Sequence, residues 1–503
     1  MCNPDEETGL LSGGHRVQKP TWFSQLGSAF LVGVLGFAGG VILMKLNQGD
    51  MRLKPHHIHE PSGSFVPPAK YSKFQPLSLQ LFTGGAPVDI INDEDGTSHP
   101  NPECQDAKIF GTFIGAMNCY KGHKNSTQDV VDRLAIMTDA VEKAYELSDK
   151  SNHTLKLFIA PEFFFRGRNG AYILHPTDDH KYLFNDDDGT CRAEICQILT
   201  ALEKLVADAR FEDWVFLFGT AILSETLPVE DTWDFLFYNF GMLYKGYDPA
   251  KTKDPKGNRF LIPKRYVSNL DFLTPQRQIE GTRQIFQSSS PIDDLAVLNP
   301  HNLSHKTYDR DIWHQYKDEL VTLGYTMIEY GWFLMDGITM TIEICLDHDM
   351  RTALTTYLAE ASSRKSTLIP SSYDNKIDYV QIPKHQAQIS IVSSAEMTVS
   401  PTALALADKG TIILQDGMHD DDINMTWVYE CYKYEWQFDG GSEVIQRTAS
   451  ISPTEVLFHY QVDDQYQKHS IYSDWKTSLR GVFTNTQYEP MIVAYSPRDV
   501  AEV

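Results

Sequence analysis

A chain of 503 residues, 42% hydrophobic and 22% charged, holds enough apolar material for a large buried core, which excludes global disorder. Its formal charge of −23, with no clustered Lys/Arg stripe, argues against a binder of phosphate backbones, so no nucleic-acid partner is expected. Seven cysteines are too few to staple so long a chain, and no paired CxxC or His-x-x-x-His spacing suggests a structural zinc, so neither metal nor cofactor is expected.

Residues 1–20 read as a polar tail. The stretch 21–44 carries no charged side chain and exceeds the roughly 20 residues a helix needs to cross a hydrocarbon core. A membrane helix is therefore expected there, with Trp22 as an interfacial anchor. A cleaved signal peptide is the competing reading, opposed by the acidic lead Asp5, Glu6 and Glu7 and by the length of the run. Arg16 and Lys19 before the span balance Lys45, Arg52 and Lys54 after it, so the positive-inside rule gives no orientation. The tail string EETGLL resembles an acidic dileucine sorting signal. NxS/T sequons at Asn125, Asn152, Asn302 and Asn424 point the same way: amino terminus cytosolic, main body a lumenal or extracellular glycoprotein, in an endolysosomal system if the sorting signal is read. In that compartment Cys104 with Cys119, or Cys191 with Cys196, would be available to pair.

Residues 45–104, rich in Pro and Gly with little periodicity, read as an irregular stalk. The run from Ile109 reads as a buried strand. A helix follows, with a capping-box-like start at Ser126 and Asp129 and an apolar face of Val130, Val131, Leu134, Met137, Val141 and Ala144. Strands are then expected at 155–160, 214–220 and 238–244, with a helix at 193–209 between the first two. Strong alternation of Ile338, Met340, Ile342 and Ile344 with Thr339, Thr341 and Glu343 predicts a strand that ends at Cys345. Beyond it come a helix at 350–361, a strand at 366–370, a helical stretch near 381–393 and a strand pair around ALADKGTIILQDG. Residues 418–503, rich in Tyr, Trp and β-branched residues, read as a β-rich extension packing on the domain. This alternation belongs to a layered α/β fold.

Three strings place a reactive side chain where a strand gives way to a loop: IAPEFFFRG with Glu162, FLIPKRYVSNLDFL with Lys264, and GITMTIEICLDHD with Cys345. Singly each has an ordinary structural reading: a loop carboxylate, a solvated lysine, a small core thiol. Together, in order and spacing, they resemble the nitrilase superfamily of carbon–nitrogen hydrolases. Pro161 and Glu162 match its first element, Lys264 ahead of Asp271 and Phe272 its second, and Gly337, Ile344, Cys345 and Asp347 its third. FLFYNFGMLYKG, STLIPSS and ADKGTIILQDG are similar to lesser family elements, so the resemblance covers about 105–417. Pro263 in place of a basic residue, and His348 and Asp349 in place of Arg-Phe-Pro, depart from the family pattern.

The resemblance implies an αββα sandwich, a homodimer, and hydrolysis of a small amide or nitrile through a Glu162–Lys264–Cys345 triad. A thiol needs a neighbouring base to become a nucleophile at neutral pH, which Glu162 would supply. Lys264 would stabilise the negative charge that develops on the substrate, with the backbone N–H of Leu346 as a second donor. Family members often place a further Glu near the triad, and Glu280 and Glu319 are the candidates. His348 is a candidate for contacting substrate or for capping the helix that follows. The rival readings are acyl transfer to an amine through the same triad, and a catalytically silent glycoprotein on the same scaffold.

Overall fold

The computed structural model describes residues 68–91, 98–104, 110–113, 116–168, 170–174, 193–229, 232–249, 258–264, 319–328, 331–354, 356–357, 368–371, 378–381, 386–400, 403–418, 426–437, 446–453, 456–458, 477, 479–484 and 489–502. The expected membrane span, the tail before it and Glu280 lie outside them. Among the described residues no helix is long and apolar enough to cross a membrane.

The body is a mixed α/β structure built on two large sheets. Strands β1 (Lys73–Gln80), β2 (Thr154–Ile159), β3 (Trp214–Val229), β4 (Thr232–Lys245), β5 (Arg259–Pro263) and β6 (Thr326–Met327) form most of the first. The second is formed by β7 (Trp332–Met335), β8 (Ile338–Ile344), β9 (Leu368–Ser371), β10 (Asp378–Gln381), β11 (Ala387–Ser394), β12 (Leu406–Asp416), β13 (Thr426–Gln437) and β14 (Gln446–Pro453). Two late strands, β15 (Val456–Phe458) and β16 (Met491–Tyr495), return to the first sheet, whose main order is β6-β5-β4-β3-β2-β1-β16-β15. The second runs β10-β9-β7-β8-β11-β12-β13-β14.

Both faces of the first sheet are covered, and its strands show it residue by residue. Leu155, Leu157 and Ile159 of β2, Val215 and Leu217 of β3, and Phe260 and Ile262 of β5 enter a core shared with Ile338, Met340, Ile342, Ile389 and Ile391 of the second sheet. Their alternates, Phe158, Phe216, Phe218, Met242 and Leu261, enter a separate core beneath two helices, α1 (Ser126–Leu147) and α2 (Glu194–Val206). The two-residue period of a strand makes this division possible, and each large apolar side chain so buried contributes about 1.5–3 kcal/mol. On the outer face of the second sheet, the Trp332 indole donates to Ala353 O at 3.0 Å and stacks on Tyr357.

Several expectations need correcting. Within the segment read as a stalk, β1 is a central strand, parallel to β2 and antiparallel to β16. Pro76 hid it, because proline is normally kept to sheet edges, and so did two glutamines. One of them, Gln75, is satisfied by donating to Tyr495 O and accepting from Asp149 N. The run from Ile109 forms no core strand: Phe110–Phe113 and Ala116–Cys119 make a hairpin in a small side sheet. That hairpin is fastened by a Cys104–Cys119 disulfide, one of the two pairings considered, and Cys196 is also disulfide-bonded.

The α1 cap is Asn125, whose side chain accepts from the N–H groups of Thr127 and Gln128, and Ser126 is already helical. Val131 is 50% exposed, and the buried face instead takes in Asp129 and Arg133 as a pair. The stretch near 381–393, read as helical, contributes β11, a strand parallel to both β8 and β12. Strand neighbours on both sides satisfy its backbone and override local preference. ALADKGTIILQDG is one strand with a register shift rather than a pair, and Lys409 turns there at a φ of 59°.

Candidate active site

Strands β1, β2 and β3 run parallel in one sheet, as do β8, β11 and β12 in the other. Glu162 follows the end of β2 and Cys345 the end of β8, at carboxyl ends of parallel strands where such sheets usually place their chemistry.

The turn carrying Glu162 is held from several sides. Thr83 Oγ1 donates to Glu162 O at 2.7 Å, and Phe163 N donates to Thr220 Oγ1 at 2.9 Å. Phe163 adopts a φ of 64°, unusual for a bulky residue. Gly219, itself at φ 68°, lets the chain pass: a Cβ there would lie 2.1 Å from Pro161 O. Arg133 Nη1 donates to Phe164 O at 2.7 Å. Burial works against the Arg133 charge, and the Asp129 carboxylate outweighs it, so the guanidinium stays above its ordinary value. Burial first, and Asp129 second, push the Tyr172 phenol well up, so it serves as a neutral donor to Asp129 Oδ1 at 2.8 Å.

Lys264 continues from β5, and its backbone N–H donates to Asn239 O on β4. Its Nζ lies 2.9 Å from Glu162 Oε1, with the two side chains 1% and 0% exposed. Asn239 Nδ2 donates to the same oxygen at 2.9 Å. A carboxylate removed from water thus meets an ammonium and an amide donor, the company a buried charge requires.

Cys345 stands at φ 49°, ψ −113°, a conformation L-residues rarely hold, where β8 breaks into the short helix α3 (Leu346–Asp349). A strained strand-to-helix turn is also the device that projects the serine of nucleophile elbows. The thiol is buried, with Sγ 3.6 Å from Ala395 O. Leu346 opens α3, where backbone N–H groups have no acceptor within the helix.

Two chains of contact bring the thiol end of one sheet to the Glu162–Lys264 end of the other. Cys345 N donates to Ser393 O, and Ser393 Oγ reaches Ala160 O, two residues before Glu162. Ile344, beside Cys345, brings its Cδ1 to 3.4 Å from where a Cβ on Gly241 would lie, two residues beyond Asn239.

His348, considered as a substrate contact, is committed elsewhere. Its Nε2 accepts from Ser400 N at 3.1 Å, so the proton sits on Nδ1, which donates to Glu343 Oε2 at 2.8 Å. With Glu343 Oε1 accepting from Ala353 N, this buried pair braces the turn after Cys345. Glu319 is nine-tenths buried at the start of a helical turn that leads into β6.

Residues passed over in the sequence complete the site. Asn239 lay inside the YN string without a role. Asp416 accepts from the N–H groups of Glu396, Met397 and Met418, and so shapes the turn that presents Ala395 O to the thiol. An aspartate ending an apolar strand was the available signal, and its three amide donors come from two separate loops.

No protein-family model matches the chain, and no curated protein matches it. Among solved structures it is similar to a glutamine-dependent NAD(+) synthetase from Cytophaga hutchinsonii, with a TM-score of 0.24 and 9% identity over 76% of this chain and 43% of that one. The chain therefore spans less than half the length of that protein.

Proposed function

We propose that the protein is a thiol-dependent enzyme of the nitrilase-superfamily type, with an αββα sandwich, that hydrolyses a non-peptide carbon–nitrogen bond through a thioester on Cys345. The observation that carries this reading is the buried Lys264–Glu162–Asn239 cluster at the sheet ends where a strained Cys345 terminates β8.

In the proposed reaction Cys345 Sγ attacks the carbonyl carbon as its proton passes to Glu162. Lys264, with the Leu346 N–H, stabilises the resulting oxyanion, a preorganised interaction whose loss typically costs about 10²–10³ in rate. Collapse breaks the C–N bond, and Glu162 returns the proton to the leaving nitrogen. A water, deprotonated by Glu162, then attacks the thioester, the acid leaves, and the thiol is restored. Lys264 serves as the charge and Cys345 as the nucleophile, roles suited to a fixed ammonium and a polarisable sulfur.

We also propose that the body lies in an oxidising compartment behind a membrane anchor at 21–44, with the amino terminus cytosolic, and that it pairs as a homodimer. Support for the compartment comes from the Cys104–Cys119 disulfide and the disulfide at Cys196, since such bonds persist outside the reducing cytosol.

Product analysis tests the activity. Incubation with short acyl amides is expected to release the free acid in wild type, with no release by Cys345→Ala. A new amide formed with added amine, in place of acid, would convert the assignment to acyl transfer; equal turnover by both proteins would remove Cys345 from the mechanism.

A further inference from the structure

Asn239 has one half of its amide engaged and the other half unspent. Its Nδ2 donates to Glu162 Oε1, which fixes the orientation of the group because a carboxylate can only accept. Its Oδ1 is buried and has no hydrogen-bond partner among the described residues. The residue as a whole is 4% exposed. An orphaned buried acceptor costs about 1–3 kcal/mol, and native proteins keep such groups where something pairs with them.

We infer that Asn239 Oδ1 accepts an N–H from the scissile nitrogen of the substrate, making Asn239 a specificity-determining residue; this rests on the hydrolase reading above. Glu162 must lie within hydrogen-bond reach of that nitrogen to return its proton. Asn239 Oδ1 is one amide width from the nitrogen that touches Glu162. A nitrogen that points its N–H at Asn239 turns its lone pair toward Glu162, the orientation protonation needs. The preferred substrate class is then an amide that keeps at least one N–H on the scissile nitrogen. Nitriles, esters and fully substituted amides offer no donor there, and each would leave Oδ1 buried and unpaired.

The test compares a secondary acyl amide with its isosteric ester, using kcat/KM on wild type and Asn239→Leu. Loss of the Nδ2 contact to Glu162 weakens leaving-group protonation, on which an amide depends more than an ester. The amide-to-ester ratio is therefore read beside the ratio of the secondary amide to its N-methyl analogue, where both leaving nitrogens need that proton, and Oδ1 is reported by a fall in both. The expected result is a fall in both ratios of about 10- to 100-fold, the range set by one buried hydrogen bond. An unchanged ratio of secondary amide to N-methyl analogue with both rates lowered would overturn the inference and leave Asn239 as a positioning residue for Glu162 alone. If Asn239→Leu fails to fold, wild type decides. A higher kcat/KM for the amide than for the intrinsically more reactive ester supports the inference, and a faster ester overturns it. Failure of wild type to turn over either substrate through Cys345 would instead defeat the hydrolase reading itself.

Discussion

Replacing Lys264 by methionine is expected to lower kcat/KM by about three orders of magnitude and to destabilise the fold together. The activity loss follows from removing the ammonium that Lys264 places against Glu162, whose field supports the developing oxyanion in the proposed reaction. The stability loss has a separate origin. Both charges are withdrawn from water, so the methionine takes the Lys264 cation away from a buried carboxylate, and breaking such a pair costs about 3–5 kcal/mol. A double variant, Lys264→Met with Glu162→Gln, should recover much of the stability and none of the activity, because it removes the uncompensated charge but not the catalytic deficit. Denaturant unfolding with parallel kinetics checks both halves. A single variant as stable and as active as wild type would mean that the pair serves neither role.

Arg133→Met is expected to cost about 3–5 kcal/mol in unfolding free energy, measured by the denaturant midpoint, by stranding a buried partner. Arg133 Nε is 2.6 Å from Asp129 Oδ1, and both side chains are essentially unexposed. The same guanidinium donates to Phe164 O, Lys121 O and Val482 O, and lies over the Phe483 ring. It therefore joins helix α1, the turn bearing Glu162 and the C-terminal extension in one contact set. Arg133→Lys should recover little, since an ammonium cannot reach three carbonyls and a carboxylate in fork geometry. Catalytic rate should fall with Arg133→Met as well, because Phe164 lies two residues from Glu162. A midpoint within experimental error of wild type would show that the extension and the turn are held by other means.

How much of this was legible in the chain depends on whether local pattern and tertiary environment agree. They agree at β8, where Ile338, Met340, Ile342 and Ile344 alternate with small polar residues and end at Cys345, and the strand stops within a residue of its expected limit. They disagree at β1, whose proline and glutamines read as loop, yet the strand pairs with β16 hundreds of positions away and Gln75 donates to Tyr495 O there. The β11 segment failed for a related reason: parallel pairing on both sides comes from β8 and β12, and nothing in AQISIVSS alone announces it.

At the candidate site, Glu162, Lys264 and Cys345 were singled out only because three strings, each weak alone, together resemble one family in order and spacing. The support around them was not. Asn239 and Asp416 act through contacts between separate segments, and the Glu343–His348 brace is local but a buried histidine has the same letters whether it faces substrate or a glutamate. The backbone strain at Cys345 was also invisible, since φ is set by what the turn must connect.

In the proposed reaction Cys345 forms the covalent link to substrate. Acid-quenching the enzyme during turnover of a short amide and mapping the peptides by mass places the acyl group. An added acyl mass is expected on the peptide containing Cys345 and is expected to be absent in Cys345→Ala. Acyl mass on a different residue, or turnover with no acylated peptide in a quench fast enough to hold a thioester, would contradict it.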